Sequence, residues 1–182
     1  MKRKSKTPAK QTQARDNHLY TLEAFIFSGP MTEKFIKQNP VISRTIQIRG
    51  DQTLQDLHEI LFDAFDREEE HMYEFQFGEG PQDPKAKRYV LPMALENPMP
   101  GANKPDGDVA RTTVSSLGLK VDQAFGYWFD FGDDWWHQIN VVAIEEKVGS
   151  GKYPRVTKRV GESPPQYVDW DEEEDEEDEA DA

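Results

Sequence analysis

The feature that most constrains the fold is an amphipathic segment at residues 53–66. Its apolar residues recur at helical spacing, which predicts one helix with a single apolar stripe. They are Leu54, Leu57, Ile60, Leu61 and Phe65. Thr53 precedes the stripe and Asp56 follows three positions later, a pattern typical of a capped helix start. A lone helix cannot bury such a stripe, so it has to pack on a sheet.

Stretches on both sides of this helix predict strands. Alternating or aromatic-rich runs lie at residues 18–27, 41–49, 72–77, 88–91, 124–131 and 135–144. The last two predict an antiparallel pair joined at Gly132-Asp133-Asp134, whereas residues 92–108, rich in proline, glycine and asparagine, predict a long mobile loop. We therefore expect an α+β domain with a mixed or mainly antiparallel sheet and one principal helix packed on a face; a β-grasp-like arrangement fits this order.

Charge is concentrated at the two ends of the chain. Residues 1–15 hold six basic residues and no acidic one, and residues 169–182 hold eleven acidic residues and no basic one. Such segments cannot bury enough apolar surface to fold. We expect a disordered basic arm at residues 1–17, a folded domain at 18–168 and a disordered acidic tail at 169–182. A solubilising role suits the tail, while Trp170 within it favours a partner.

Composition limits the classes of function. The chain has no cysteine, which excludes disulfides, thiolate catalysis and cysteine-based zinc sites. No apolar stretch approaches the roughly 18 residues of a membrane helix, and the basic start lacks the apolar region of a secretory signal. We expect a cytoplasmic protein without a membrane contact. The body between the charged ends has 16 basic and 24 acidic residues, so only residues 1–15 offer a nucleic-acid contact.

The densest polar constellation lies at residues 130–137. Asp130, Asp133, Asp134 and His137 fall at the predicted hairpin tip, and carboxylate oxygens with imidazole nitrogens are ligands for divalent metals. With His71, these residues make a candidate metal site, and His58 on the helix is a further candidate. The alternative, which we favour, is structural: aspartates suit turns, and lone histidines pair with carboxylates.

Sequence motifs for catalysis and cofactor binding are absent. The chain has no Gly-x-Ser-x-Gly elbow and no glycine-rich phosphate loop. Aromatic residues at 127–136 favour a hairpin core over base stacking, because few basic residues interleave with them. We therefore expect a non-enzymatic binding or accessory protein with a protein partner and no cofactor, and keep a metal-binding protein or metal-assisted enzyme as the alternative.

Several segments together resemble a known family. They are Tyr20-Thr-Leu, Ser43-Arg-Thr-Ile46, Thr53-Leu-Gln-Asp-Leu-His-Glu-Ile60, His71-Met-Tyr-Glu-Phe75, Tyr127-Trp-Phe-Asp-Phe-Gly-Asp-Asp-Trp-Trp-His-Gln-Ile139, Tyr153-Pro-Arg155 and Pro164-Pro165. Over about residues 19–168 the chain resembles the plasmid pRiA4b Orf-3-like family, also labelled insertion-element passenger TnpR. The resemblance implies a compact α+β domain found on plasmids, mobile elements and chromosomes, with no activity to carry over.

The chain departs from the family pattern at three positions. Ser43 stands where the family often has tryptophan, Ser163 where it often has cysteine, and Gln166 where an acidic residue is usual. A site built on that late cysteine or carboxylate is therefore not expected here.

Overall fold

The computed structural model describes residues 17–97, 100–101, 103–168 and 170. These residues form eight strands, three α-helices and one 3-10 turn at Val114–Leu117. The helices are α1 Glu33–Gln38, α2 Leu54–Ala64 and α3 Pro92–Glu96. The strands are β1 Leu19–Ser28, β2 Ser43–Arg49, β3 Tyr73–Phe77, β4 Lys87–Val90, β5 Gly107–Asp108, β6 Ala124–Phe129, β7 Trp135–Glu145 and β8 Arg155–Val160. Apart from Asn17 and Trp170, the expected basic arm and acidic tail lie outside the described residues.

One sheet contains all eight strands, in the order β5-β4-β3-β6-β7-β1-β2-β8. The pair β4 and β5 is parallel, and the other neighbouring pairs are antiparallel. The predicted mixed, mainly antiparallel sheet is thereby confirmed. The β-grasp-like arrangement is wrong, because a β-grasp places its first and last long strands parallel at the sheet centre, whereas β1 and β7 pair antiparallel.

Capping interactions set the start and end of α2. The Thr53 hydroxyl accepts from the Asp56 backbone N–H at 3.1 Å, and the Asp56 carboxylate accepts from the Thr53 N–H at 2.7 Å, so the predicted start has a complete capping box. Asp66 ends the helix by turning left-handed, with φ of 52°. With 11 residues, α2 is the longest helix of the described chain, and no helix in that part is long and apolar enough to cross a membrane.

The hydrophobic core joins side chains of α2 to side chains of the sheet. From α2 and its end come Leu54, Leu57, Leu61 and Phe65. The strands contribute Leu22, Ile46, Ile48, Tyr73, Phe75, Tyr127, Phe129, Trp135, Ile139 and Val141, among others. We call the sheet face that carries these side chains the inner face. Because side chains alternate along a strand, Glu74, Gln76, Trp128 and Trp136 belong to the opposite, outer face.

Three segments differ from the expectations. Residues 92–108, predicted to be one loop, contain α3 and β5; Pro92 stands at the first turn of α3, where its missing N–H is not needed. Strand β8 is an edge strand of mostly exposed polar residues, so it lacks the apolar alternation that marks a strand. Phe131 leaves the inner-face series because Asp130 turns left-handed, with φ of 56°, and its ring packs on Trp128.

Candidate functional site

His58 of α2 belongs to a chain of polar groups that runs from the buried Tyr127 on the inner face to the exposed Glu70. Its ring stacks on Tyr73 with a centroid distance of 3.6 Å. The nitrogen Nδ1 lies 2.8 Å from the Tyr127 hydroxyl, and Nε2 lies 3.0 Å from a Glu70 carboxylate oxygen. Since an ionised carboxylate only accepts, Nε2–H donates to Glu70 and the Tyr127 hydroxyl donates to Nδ1.

Burial favours the neutral forms of His58 and Tyr127. It lowers the pKa of His58, although the nearby Glu70 acts in the opposite direction. The complete burial of Tyr127 raises its pKa well above the ordinary value of 10.0. A neutral imidazole and a neutral phenol that complete each other's hydrogen bonds stabilise a core and need no ligand.

His137 is also neutral and buried on the inner face. Its Nδ1 lies 3.3 Å from the backbone oxygen of Tyr127, and its ring lies 5.1 Å from that of Phe65. Burial, with a smaller effect of the nearby Arg67 cation, lowers the pKa of His137 to about 3. In the described part of the chain, His137 makes no ion pair with a carboxylate.

Asp130 and His71 are the two predicted site residues that the structure brings together. The distance from His71 Nε2 to an Asp130 carboxylate oxygen is 3.4 Å. The same nitrogen lies 2.8 Å from the hydroxyl of Tyr167, which donates to Glu69 at 2.9 Å. This hydrogen bond to Glu69 raises the pKa of Tyr167 to about 12.

The hairpin aspartates make turn contacts. Asp130 accepts from the backbone N–H groups of Gly132 and Asp133 at 3.1 and 3.3 Å, and Asp134 accepts from the Trp128 indole N–H at 3.0 Å. Among the residues that the structure describes, no group of three or more histidines and carboxylates could hold a metal ion. The five-residue metal site, with His58 as an addition, therefore stays a prediction.

A C-terminal segment at residues 163–167, which we call the strap, holds the loop between α2 and β3. The Gln166 side-chain oxygen accepts from the backbone N–H groups of Glu68 and Glu69 at 2.7 and 3.0 Å. Its amide nitrogen donates to the Glu69 backbone oxygen at 2.8 Å. Gln166, noted above as a departure from the family pattern, is thus a buried residue that fixes this loop.

The outer face carries a cavity of about 240 Å³, which we call the outer-face pocket. Residues of β3, β4, α3 and the hairpin turn contribute to its wall, including Met72, Glu74, Arg88, Val90, Met93 and Phe131. Three of these are large apolar side chains that stay exposed at the rim: Met72 and Phe131 at 37% each and Met93 at 63%. Apolar surface that lines a cavity and continues onto the exterior is typical of binding sites.

A buried ion pair forms the polar part of this pocket. Arg88 donates to both carboxylate oxygens of Glu74, from Nη2 at 2.6 Å and from Nε at 3.1 Å. Gln76 donates to the same carboxylate. The hydrogen bond to Glu74 raises the pKa of Arg88. Because Glu74 is already paired, the pocket presents a neutralised pair rather than a free charge.

An aromatic stack adjoins the pocket through Phe131. The Trp128 and Trp136 rings are stacked with centroids 4.8 Å apart. The centroid of the Phe131 ring lies 4.1 Å from that of Trp128, so Trp128 contacts both rings. The aromatic residues of the predicted hairpin therefore divide between the two faces: Tyr127, Phe129 and Trp135 join the core, and this stack lies on the outer face.

Sequence reasoning missed the residues of the pocket. Glu74 and Gln76 alternate with aromatic residues in β3, which suggests solvent-exposed positions, yet both are buried. Met93 lies in a segment predicted to be a loop. The sequence of a single strand does not show which elements cover its polar residues. Only the sheet order could therefore have identified the pocket.

Comparison with known proteins relates the chain to a family, a curated relative and a solved structure. A model of the family described as plasmid pRiA4b ORF-3-like protein matches residues 34–171. The uncharacterized protein y4hQ of Sinorhizobium fredii is 27% identical over 132 residues, which cover 71% of this chain and 60% of that protein. The chain thus spans less than two thirds of that relative. The crystal structure of a protein of unknown function from Methanosarcina mazei Go1 has the same fold, with a TM-score of 0.61, 21% identity and coverage of 82% of this chain and 72% of the other.

Proposed function

The chain belongs to the plasmid pRiA4b ORF-3-like family, as the sequence resemblance predicted, and from that premise we propose a non-enzymatic binding or accessory protein. Its outer-face pocket takes an uncharged apolar side chain of a protein partner. In this proposal α2 packs on and closes the inner face, which leaves the outer face for the partner. The observation that carries the proposal is the 240 Å³ cavity with its exposed apolar rim.

Electrostatics favour an uncharged anchor. The Glu74 carboxylate already accepts from Arg88 and Gln76, so a ligand cation or anion entering the pocket would lose its hydration without gaining a free counter-charge. Apolar surface suits an aromatic or branched aliphatic side chain, and flexible methionines such as Met72 and Met93 adapt to different shapes.

The exposed rim favours a protein partner over a small molecule. Small-molecule sites bury most of their ligand, whereas Met93 is 63% exposed at the pocket edge and extends the apolar surface outward. A partner segment can cover such a rim while one of its side chains fills the cavity. The side-chain amides of Asn97 and Asn103, which also line the pocket, offer hydrogen bonds to the backbone of that segment.

The experiment is an NMR titration of methionine methyl groups. N-acetyl-phenylalaninamide and N-acetyl-leucinamide are the probes, and N-acetyl-lysinamide is the charged comparison. We expect the apolar amides to shift the Met72 and Met93 methyl signals in a saturable way and to leave Met31, which packs against the core cluster, unchanged. Equal shifts with all three amides, or none, would contradict the proposal.

A variant with a filled pocket tests whether the probes bind there, and a variant with the same ring elsewhere is its matched control. Ala94 lines the cavity, so Ala94→Phe places a ring inside it, whereas Ala124→Phe adds the same ring at an exposed position at the start of β6. We expect A94F to lose the probe-induced shifts and A124F to keep them. Retention of the shifts in A94F would place probe binding outside the pocket.

A divalent-metal site is the second candidate function, favoured by the His71–Asp130 contact of 3.4 Å. Two donors alone bind a divalent ion weakly, since such ions take four or more ligands. Asp133, Asp134 and His137 would have to move toward Asp130 to complete the site. Elemental analysis of protein purified without a histidine tag tests this candidate: a stoichiometric metal that is lost in Asp130→Asn supports it, and a metal-free protein contradicts it.

A further inference from the structure

Arg67 is the buried charged residue that neither the core nor the proposed pocket explains. It directly follows the left-handed Asp66 at the end of α2, and its backbone N–H donates to the Phe62 carbonyl at 3.1 Å. This turn directs the Arg67 side chain inward, where the residue is only 7% exposed. Its guanidinium carbon lies 3.8 Å from the centre of the Trp135 ring.

All three guanidinium nitrogens of Arg67 are buried without a hydrogen-bond partner among the described residues. The indole nitrogen of Trp135, the residue on which Arg67 stacks, is also buried and unpartnered. Arginine and the indole N–H are donors only. The Arg67 guanidinium thus covers the face of the Trp135 ring, and neither its donors nor the indole N–H meets an acceptor among the described residues, although native proteins pair nearly all buried polar groups.

These donors suit an acceptor, and an oxyanion matches them better than water does. A guanidinium has five N–H donors in a planar fork that matches two oxygens of a carboxylate or phosphate. A water molecule accepts two hydrogen bonds and leaves the charge uncompensated. Burial lowers the pKa of Arg67 to about 10, although Tyr127 and Asp130 act in the opposite direction.

We propose that Arg67 and the Trp135 indole N–H form a buried binding site for an oxyanion of the carboxylate or phosphate type. The Arg67 fork binds two of its oxygens, and the indole N–H binds an oxygen at the edge of the ring. The site lies on the inner face, and it is independent of the outer-face pocket and of its proposed partner.

Two sources can supply the oxyanion. One is a free phosphate or small carboxylate from solution. The other is a side chain of the acidic residues 171–181 of the same chain, since the strap that leads to this segment already holds the loop next to Arg67 through Gln166.

The test follows the four tryptophan indole N–H signals of the full chain by nitrogen–proton NMR while phosphate or acetate replaces chloride at constant ionic strength. The Trp135 signal is identified by its loss in Trp135→Phe. We expect this signal to shift in a saturable way, with a rise in Tm of about 5 to 10 °C when the anion is present at 100 times its Kd.

Variants distinguish the two sources of the anion and show whether the response depends on Arg67. A full-length chain with its acidic residues 171–181 changed to Asn and Gln responds to added anion in either case; the unaltered chain responds only if the source is free anion. Arg67→Met abolishes the response, Arg67→Lys weakens it because lysine lacks the planar fork, and Arg111→Met, whose side chain is 84% exposed, leaves it intact. No response in either chain, or an equal response in R67M, would overturn the proposal.

Discussion

At the scale of single residues, we expect the buried imidazole of His137 to lower the stability of the domain in acid. His137 has a pKa of about 3 in the folded protein, against an ordinary value of 6.5. Below pH 6.5 the unfolded chain therefore binds a proton that the folded chain does not bind. The contribution of His137 to the free energy of unfolding is fully present above the unfolded pKa and is lost as the pH falls from 6.5 toward 3.

Replacing His137 by glutamine removes this contribution. We expect the free energy of unfolding of the wild type to fall by about 1.4 kcal/mol per pH unit more steeply than that of His137→Gln between about pH 4 and 6. Urea denaturation at several pH values measures both slopes. Parallel curves for the two proteins would mean that His137 takes up a proton equally in the folded and unfolded states, which would contradict this prediction.

The ion pair of Glu74 and Arg88 is the second case at this scale. The Glu74 side chain is 2% exposed and the Arg88 side chain 29%. Arg88→Met leaves a buried carboxylate without its cation, which we expect to lower the free energy of unfolding by about 3 kcal/mol. The double variant Glu74→Leu with Arg88→Met recovers most of this loss, because it removes the buried charge as well.

Urea denaturation also tests this pair, with Arg49→Met as the control. That arginine and its partner Asp51 are both exposed, so we expect the change to stay within about 1 kcal/mol. A double variant as unstable as R88M would mean that packing around Glu74, rather than its charge, determines the loss.

At the scale of elements, close contact between the end of β1 and the start of β7 leaves no room for a side chain at position 29. A Cβ atom added to Gly29 would overlap the ring of Trp135, which is completely buried. We expect Gly29→Ala to lower the free energy of unfolding by about 1–3 kcal/mol. Gly80→Ala is the matched control, since nothing lies within 4 Å of its added Cβ, and equal stability losses would contradict this reading.

Local signals made several elements predictable. Thr53 and Asp56 locate the start of α2 because capping is a local interaction, and the alternation in β1, β3 and β6 locates three strands. Strand β8 was not predictable, since Arg155–Val160 is stabilised by pairing with β2 rather than by burial of its own residues. Helix α3 was not predicted, because prolines and glycines around it are typical of a loop.

Tertiary contacts made the candidate sites hard to predict. The sequence indicates metal-ligating residue types at His58, His71, His137 and the hairpin aspartates. However, His58 and His137 lie among aromatic rings of the core. Arg67 looks like an ordinary surface residue after a helix, and only the left-handed turn at Asp66 directs it inward. Glu74 meets Arg88 because β3 and β4 are neighbours, a fact that no local pattern contains.

At the scale of the whole molecule, we expect charge to restrict contacts with nucleic acid to residues 1–15. The six basic residues of positions 1–15 stand against an acidic body. If the chain binds duplex DNA, we expect the slope of log affinity against log salt to be no steeper than about −5, the value for six phosphate contacts. Replacing these six residues by glutamine abolishes that binding, as fluorescence anisotropy with a labelled duplex measures; binding by the replaced chain would place a nucleic-acid surface on the body.

The proposed function divides the sheet into an inner face closed by α2 and an outer face that receives a partner. Intermolecular NOEs between N-acetyl-phenylalaninamide and the protein test this division most directly. We expect NOEs from the probe ring to the Met72 and Met93 methyl groups and to Val90, which share the outer-face pocket. NOEs to residues elsewhere on the surface, with none to these three, would contradict it.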